Sequence, residues 1–237
     1  MAGPECCVPA PPATHSSVGG EESWGGIDVY VNHPASSTAA VILVSDVFGW
    51  KAPLFRKLAD KVAAAGFVAV APDLLYGDFF DPDASGPVQT WIQGHKPHLK
   101  PLEDCKKLVS VLQSKGITSI GLSGFCWGAK VVILASKETT CNALVMCHPS
   151  MVTIDDIKAC KAPLAILAAE TDHVTPVDMV NEFKKHLEHG NQDHFVKVFP
   201  GTAHGWTVRY DVNSENAVKN AEEAHEDFIA WFRKHLL

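Results

Sequence analysis

Residues 117–130 read "ITSIGLSGFCWGAK". The first seven read as a strand, and a helix is expected to open at Trp127 or Gly128. Between them, Gly124-Phe125-Cys126-Trp127-Gly128 has the form glycine, any residue, nucleophile, any residue, glycine, in the strand-to-helix setting that form requires. Crowding explains the glycines: a nucleophile on so sharp a turn has a strained backbone, and only Gly lets the strand and helix approach it closely. The helix start beneath Cys126 favours thiolate over thiol, and the Trp127 N–H points where an oxyanion would develop. The pentapeptide alone is equally compatible with a buried structural thiol, because free cysteine is common in cores. The rest of the chain has to supply the context.

On either side, strands and helices alternate. "AAVILVSDVFG" (39–49) carries a continuous apolar run, as a strand buried on both faces does. "LFRKLADKVAAAGF" (54–67) reads as a helix closed by Gly66, and "FVAVAPD" (67–73) as the next buried strand. The beat continues with helix "PLEDCKKLVSVLQSKG", strands "ALVMCHPS" and "PLAILAAETD", helix "VDMVNEFKKHLEHG", strand "FVKVFPG" and a last helix from about Ser214 to His235. This rhythm predicts an α/β fold, a mostly parallel sheet with helices on both faces and its chemistry at the carboxyl ends of the strands. "GGIDVYVNHP" (25–34) reads as an edge strand, and residues 1–24, rich in Pro, Ser and Gly, as an N-terminal arm before one domain over 25–237. Cys6 and Cys7 in that arm read as surface thiols. Residues 75–101 break the beat, and so long a connection reads as a lid or pocket wall.

With 237 residues, 46% of them apolar, the chain can bury one full core. A net charge of −7 without a basic run argues against nucleic acid, and no run of roughly 18 apolar residues spans a membrane. Seven irregularly spaced cysteines and an N-terminus without signal-peptide character predict a soluble cytoplasmic protein with free thiols.

A nucleophile of this kind needs a base, and the base an orienter. In α/β-hydrolases the order is nucleophile, acid, histidine, each after a later strand. Asp172 ends "PLAILAAETD", ahead of the rivals Glu170 and Asp178 because it precedes the helix opening "HVTP"; its alternative is helix capping. His204, one of twelve histidines, lies between Gly201 and Gly205 after the last strand. "SDVFG" ends the buried strand at 39–49, where α/β-hydrolases supply a second oxyanion donor, assigned here to Val47 N–H. Asp46 could hold a proton or hydrogen bond near the thiol, or simply make a turn, and Phe48 is taken as a pocket residue. Tyr76, Trp91, His95, Trp206 and Arg209 are placed on the pocket rim, and His148, ending its own strand, is read as a pocket or structural residue.

These residues resemble the dienelactone hydrolase family, the carboxymethylenebutenolidases, from about Gly25 to the C-terminus. "GFCWG" is the most specific mark, and "SDVFG", "APDL", "ETDHVTP" and "GTAHGW" fall in family order; "GPECC", "CHPS" and "HGWTVR" are similar to its plant branch, some of whose members carry the label endo-1,3;1,4-β-glucanase. The resemblance implies the α/β-hydrolase fold and a Cys126–His204–Asp172 triad that hydrolyses small esters or lactones through a thioester, with no cofactor or metal, in a monomer or homodimer. Two departures stand out. Bacterial members have Glu at the position of Asp46, and an Arg after "PDL" that binds a substrate carboxylate; "LLYGD" offers none, and Arg209 is the residue that could replace it.

Three other readings compete. Glycan hydrolysis requires two carboxylates flanking the scissile bond in a long cleft, for which only Asp46 and Asp172 offer themselves. An isomerase, cyclase or lyase would use the same pocket for acid–base work without an acyl-enzyme. A binding protein would have no use for an elbow cysteine, base and orienter together.

Overall fold

The computed structural model describes residues 13–34 and 36–237; Cys6 and Cys7 lie outside them. Eight strands form one sheet in the order β1-β2-β4-β3-β5-β6-β7-β8. They are β1 (Gly20–Trp24), β2 (Ile27–Asn32), β3 (Ala39–Val44), β4 (Val68–Pro72), β5 (Ser119–Phe125), β6 (Ala143–Cys147), β7 (Leu164–Thr171) and β8 (His194–Ala203). β2 pairs antiparallel with β1 and β4, and every other pairing is parallel.

Alternation along each strand divides the core between the two faces. On β3, Ala40, Ile42 and Val44 face the layer of α3 (Lys100–Ser114) and α4 (Trp127–Ala135), packing with Leu108, Leu112, Val131 and Val132. Ala39, Val41 and Leu43 face α1 (Pro53–Ala64) and the C-terminal helix α7 (Glu215–Leu236), packing with Phe55, Leu58, Phe228 and Phe232. Because both faces are covered, β3, β4 and β6 are apolar throughout, as the sequence pattern predicts, while β5 buries Ser123, whose hydroxyl donates to the Ile42 carbonyl at 3.1 Å. α6 (Val177–Glu188) adds Phe183 and Leu187 to the first layer. Ser214 caps α7 by accepting the Ala217 N–H.

Three expectations change. The strand at "GGIDVYVN" is not the edge: β1 pairs outside it, within the span read as the arm. β1 is exposed at four of its five positions, so "GEESW" lacks the apolar signal that marks a strand. The long connection after β4 contains a short helix, α2 (Val88–Gly94), and α5 (Ile154–Ala159) follows β6. Each is too short to show a helical period in sequence. Residues 13–19 are pinned to α1 by the Asp60 carboxylate, which accepts from His15 Nε2 at 2.6 Å and Val18 N–H at 3.1 Å, and also from Tyr30 and Asn32.

Candidate active site

The ends of β3, β5, β6, β7 and β8 gather five segments at one edge of the sheet, carrying Asp46, Cys126, His148, Asp172 and His204. Cys126 lies between β5 and α4 with φ 51 and ψ −113, a left-handed backbone that a side chain rarely adopts. The glycines around it follow from contact distances. A Cβ on Gly124 would lie 2.4 Å from the Gly128 carbonyl oxygen, and one on Gly128 would lie 2.2 Å from that of Val44. The strained residue is tied on both sides: its N–H donates to the Cys147 carbonyl at 3.2 Å, and its carbonyl accepts from Ser150 N–H at 3.0 Å. Cys126 is fully buried. Trp127 is the first residue of α4, so its N–H has no intrahelical acceptor.

His204, just beyond β8, donates from Nδ1 to Asp172 Oδ2 at 2.7 Å, and both side chains are at most 3% exposed. The other Asp172 oxygen accepts from Val174 N–H at 2.8 Å and Thr175 N–H at 3.1 Å. The Thr175 hydroxyl donates to the Pro149 carbonyl at 2.7 Å, which ties the β7 loop to the segment after β6. Asp172 therefore organises its own loop and orients an imidazole at once. It does not cap α6, whose N-cap is Pro176. The far nitrogen of His204, Nε2, is buried with no hydrogen-bond partner among the described residues. Of the rival acids, Glu170 accepts from Gly201 N–H on the exposed side of β8, and Asp178 lies in the first turn of α6.

Asp46 and Arg209, far apart in sequence, form a buried ion pair, Nε to Oδ2 at 3.0 Å, with side chains at most 4% exposed. Asp46 Oδ1 also accepts from Phe48 N–H at 3.0 Å, and the Arg209 guanidinium lies over the Phe48 ring at 5.0 Å. At rest Arg209, read above as an anion contact, is thus neutralised by a carboxylate of its own chain. Val47, between them, is buried, and its carbonyl accepts from Phe80 N–H at 2.8 Å.

Aromatic contacts carry the segment 75–101 across this edge. Phe48 meets Phe80 at 6.1 Å, Phe80 meets Trp91 at 5.8 Å, and Trp91 stacks on His95 at 3.7 Å. The Trp127 indole N–H then donates to the His95 carbonyl at 2.7 Å, fastening the segment to the elbow helix. His95 also pairs with Asp78 at 3.1 Å. Trp91, expected on the rim, belongs to the core; Trp206 is buried too, packing on Phe199 and His148, but it also walls a cavity with His204. Tyr76 stays exposed and donates to Asp104 at 2.9 Å; burial of part of its ring and that carboxylate raise its pKa. It borders cavities of about 510 and 330 Å³, the second also lined by His95 and Trp127. His204, Trp206 and Arg209 line a third of about 210 Å³.

His148 is fully buried at φ 36, its ring 5.0 Å from that of His204 and its Nε2 2.9 Å from Thr207 Oγ1. Burial first, then the nearby His204 and Arg209, hold its pKa well below the ordinary value. Thr175 and Thr207 were not singled out by the sequence, since a threonine after an acid or a histidine carries no recognisable signal.

Residues 27–236 match the model of the dienelactone hydrolase family. Over 159 residues the chain is 42% identical to a Zea mays protein named endo-1,3;1,4-beta-D-glucanase, covering 67% of this chain and 51% of that protein. It thus spans about half the length of that relative. Over 217 residues it is 32% identical to the carboxymethylenebutenolidase homolog of Xenopus tropicalis, covering 89% of this chain and 88% of the other. A crystal structure from Klebsiella pneumoniae, described as a dienelactone hydrolase, superposes with a TM-score of 0.76 at 22% identity, covering 92% of this chain and 99% of that one. The sheet order, the helices on both faces and this superposition make the architecture the α/β-hydrolase fold.

Proposed function

Because the chain belongs to the dienelactone hydrolase family and is an ester or lactone hydrolase, we propose that it works through Cys126, His204 and Asp172 with a thioester between two half-reactions. The observation that carries this reading is the buried His204–Asp172 pair at 2.7 Å, with the His204 Nε2 left unpartnered.

In the first half-reaction the Cys126 thiol gives its proton to His204 Nε2 as sulfur bonds to the substrate carbonyl carbon, and the carbonyl π pair moves onto oxygen. The N–H groups of Val47 and Trp127 receive that oxyanion. When the intermediate collapses, the carbon–oxygen bond to the alcohol breaks and His204 returns the proton to the leaving oxygen; a lactone keeps its alcohol attached at the other end. In the second half-reaction His204 takes a proton from water, whose oxygen displaces sulfur, releasing the acid and regenerating the thiol. Asp172 holds His204 in the tautomer that leaves Nε2 bare and balances the imidazolium charge in both steps.

The preference for a small ester or lactone rests on the family; of the cavities at this edge, that of about 330 Å³ reaches Trp127 and that of about 210 Å³ reaches His204. Glycan cleavage, suggested by the name of the maize relative, has little support. It needs one carboxylic acid and one carboxylate facing a sugar, whereas Asp172 is committed to His204 and Asp46 to Arg209. We place the protein in the cytoplasm, where the free Cys105, Cys141, Cys147 and Cys160 suit a reducing medium.

The test is intact-protein mass spectrometry after brief mixing with a panel of small activated esters and lactones, on wild type, Cys126→Ser and His204→Ala. A transient acyl adduct on Cys126, with turnover lost in His204→Ala, is expected. Protein whose Cys126 still alkylates but which neither acylates nor turns over any ester would overturn the reading in favour of an isomerase, cyclase or lyase.

A further inference from the structure

We propose that His148 is a positioning residue for the His204 imidazole, an inference that rests on His204 being the general base. The hydrogen bond from Nδ1 to Asp172 anchors one side of the buried His204 ring. A second contact braces the ring itself. The His148 ring supplies it, meeting His204 at 5.0 Å with the planes 65° apart.

His148 is itself held from several directions. Its N–H donates to the Leu167 carbonyl on β7 at 2.8 Å, and its backbone stays at φ 36, a conformation that persists only where the surroundings enforce it. Trp206 at 5.5 Å and Phe125 at 6.0 Å enclose the ring. Nε2 bonds Thr207, three residues beyond His204 on the same loop. The Thr207 carbonyl in turn accepts from His225 Nε2 on α7 at 2.7 Å. The brace therefore runs from α7 through Thr207 and His148 to the base, independently of Asp172.

The ring must also be uncharged. Proton transfer from the thiol makes His204 a cation, and a neutral aromatic ring within about 6 Å favours a cation whereas a second imidazolium would repel it. Burial first, then His204 and Arg209, disfavour a positive charge on His148, while Asp172 is already engaged by His204 and Asp46 by Arg209. The adjacent Cys147 thiol is kept protonated by burial and adds no counter-charge.

A histidine serving only the fold would cost stability when removed and leave the His204 ring undisturbed. The test compares His148→Ala, His148→Phe, which keeps a ring without the Thr207 bond, and His148→Gln, which keeps a polar group without a ring. Steady-state kinetics on an activated ester are read alongside the downfield proton resonance of the His204–Asp172 hydrogen bond. His148→Ala is expected to lower kcat on the order of 10²-fold, the cost of a misplaced catalytic group, with KM nearly unchanged and the resonance broadened. His148→Phe should recover more of both than His148→Gln. A folded His148→Ala with wild-type kcat and an unchanged resonance, or a Gln variant recovering more than the Phe variant, would overturn the proposal. If His148→Ala does not fold, the Phe and Gln variants decide. Because the resonance is read without substrate, a wild-type protein that turns over no ester but shows the expected resonance pattern would remove the hydrolytic reading and leave this one standing.

Discussion

Replacing Asp172 by asparagine tests the proposed chemistry through one pair of atoms. In the wild type, Oδ2 accepts from His204 and Oδ1 accepts two backbone N–H groups, at 2.8 and 3.1 Å. Asparagine has only one acceptor end. If its oxygen keeps the backbone donors, its NH2 faces His204 Nδ1, which must then act as an acceptor, and the ring proton moves to Nε2, where it blocks uptake of the thiol proton. The flipped amide would set its NH2 against two N–H donors, a buried mismatch costing about 1–3 kcal/mol for each group left unsatisfied. The first orientation should therefore prevail. Losing a hydrogen bond to a charged group costs roughly 1.5–3 kcal/mol, or about one to two decades in rate at ~1.4 kcal/mol per decade. The wrong tautomer adds to this; in serine triads the same exchange costs about 10⁴. A thiol, ordinarily titrating near 8.5, depends on its base less than a hydroxyl does, so a fall in kcat on the order of 10²–10³ is expected. The assay is steady-state hydrolysis of p-nitrophenyl acetate, with circular dichroism to establish folding. A folded variant within a few-fold of wild-type kcat would refute the role given to Asp172.

Gly124→Ala should destabilise the fold by about 3 kcal/mol, because its Cβ would lie 2.4 Å from a carbonyl oxygen of the elbow helix; an unchanged thermal midpoint would show that the elbow is looser than drawn here. Burial first, then the Lys61 ammonium, push His225 down to about 4, against an ordinary value near 6.5. Its folded pKa being depressed, the fold favours the neutral ring, so this contribution is complete above about 6.5 and is lost as pH falls toward 4. His225→Gln should flatten the midpoint-against-pH curve in that window, and an identical slope would exclude His225 as its source. Asp60, kept ionised against the cost of burial by Tyr30, His15, Asn32 and Val18, anchors residues 13–19. Asp60→Asn should cost about 1–3 kcal/mol and speed proteolytic cleavage within 13–19; a cleavage pattern identical to wild type would contradict that anchoring role.

What the sequence made legible was local. The elbow is read from five consecutive residues, and Asp172 and His204 from their places after apolar runs, because a buried parallel strand announces its own end. The Asp46–Arg209 pair was hidden because nothing in either segment marks a charge that finds its partner most of a chain away. Arg209 was accordingly read as a free anion contact. Trp91 was placed on the rim because loops usually run over surfaces, yet it packs on Phe80 of its own segment and is buried. β1 was missed for the converse reason: backbone pairing alone makes it a strand, and its side chains face water.

Cys126 exposes none of its surface. A sulfur that solvent does not touch is equally out of reach of peroxides, disulfides and alkylating agents until the edge opens, so at low reagent its loss follows the opening equilibrium times the reactivity of the thiol, and at high reagent the opening alone. Raising the concentration of a thiol reagent should drive the inactivation rate to a plateau, and reagents of different reactivity should reach the same plateau, the opening rate itself. A substrate that must pass the same opening cannot be turned over faster than that rate, so inhibition by a simple alkylator would measure the ceiling on catalysis.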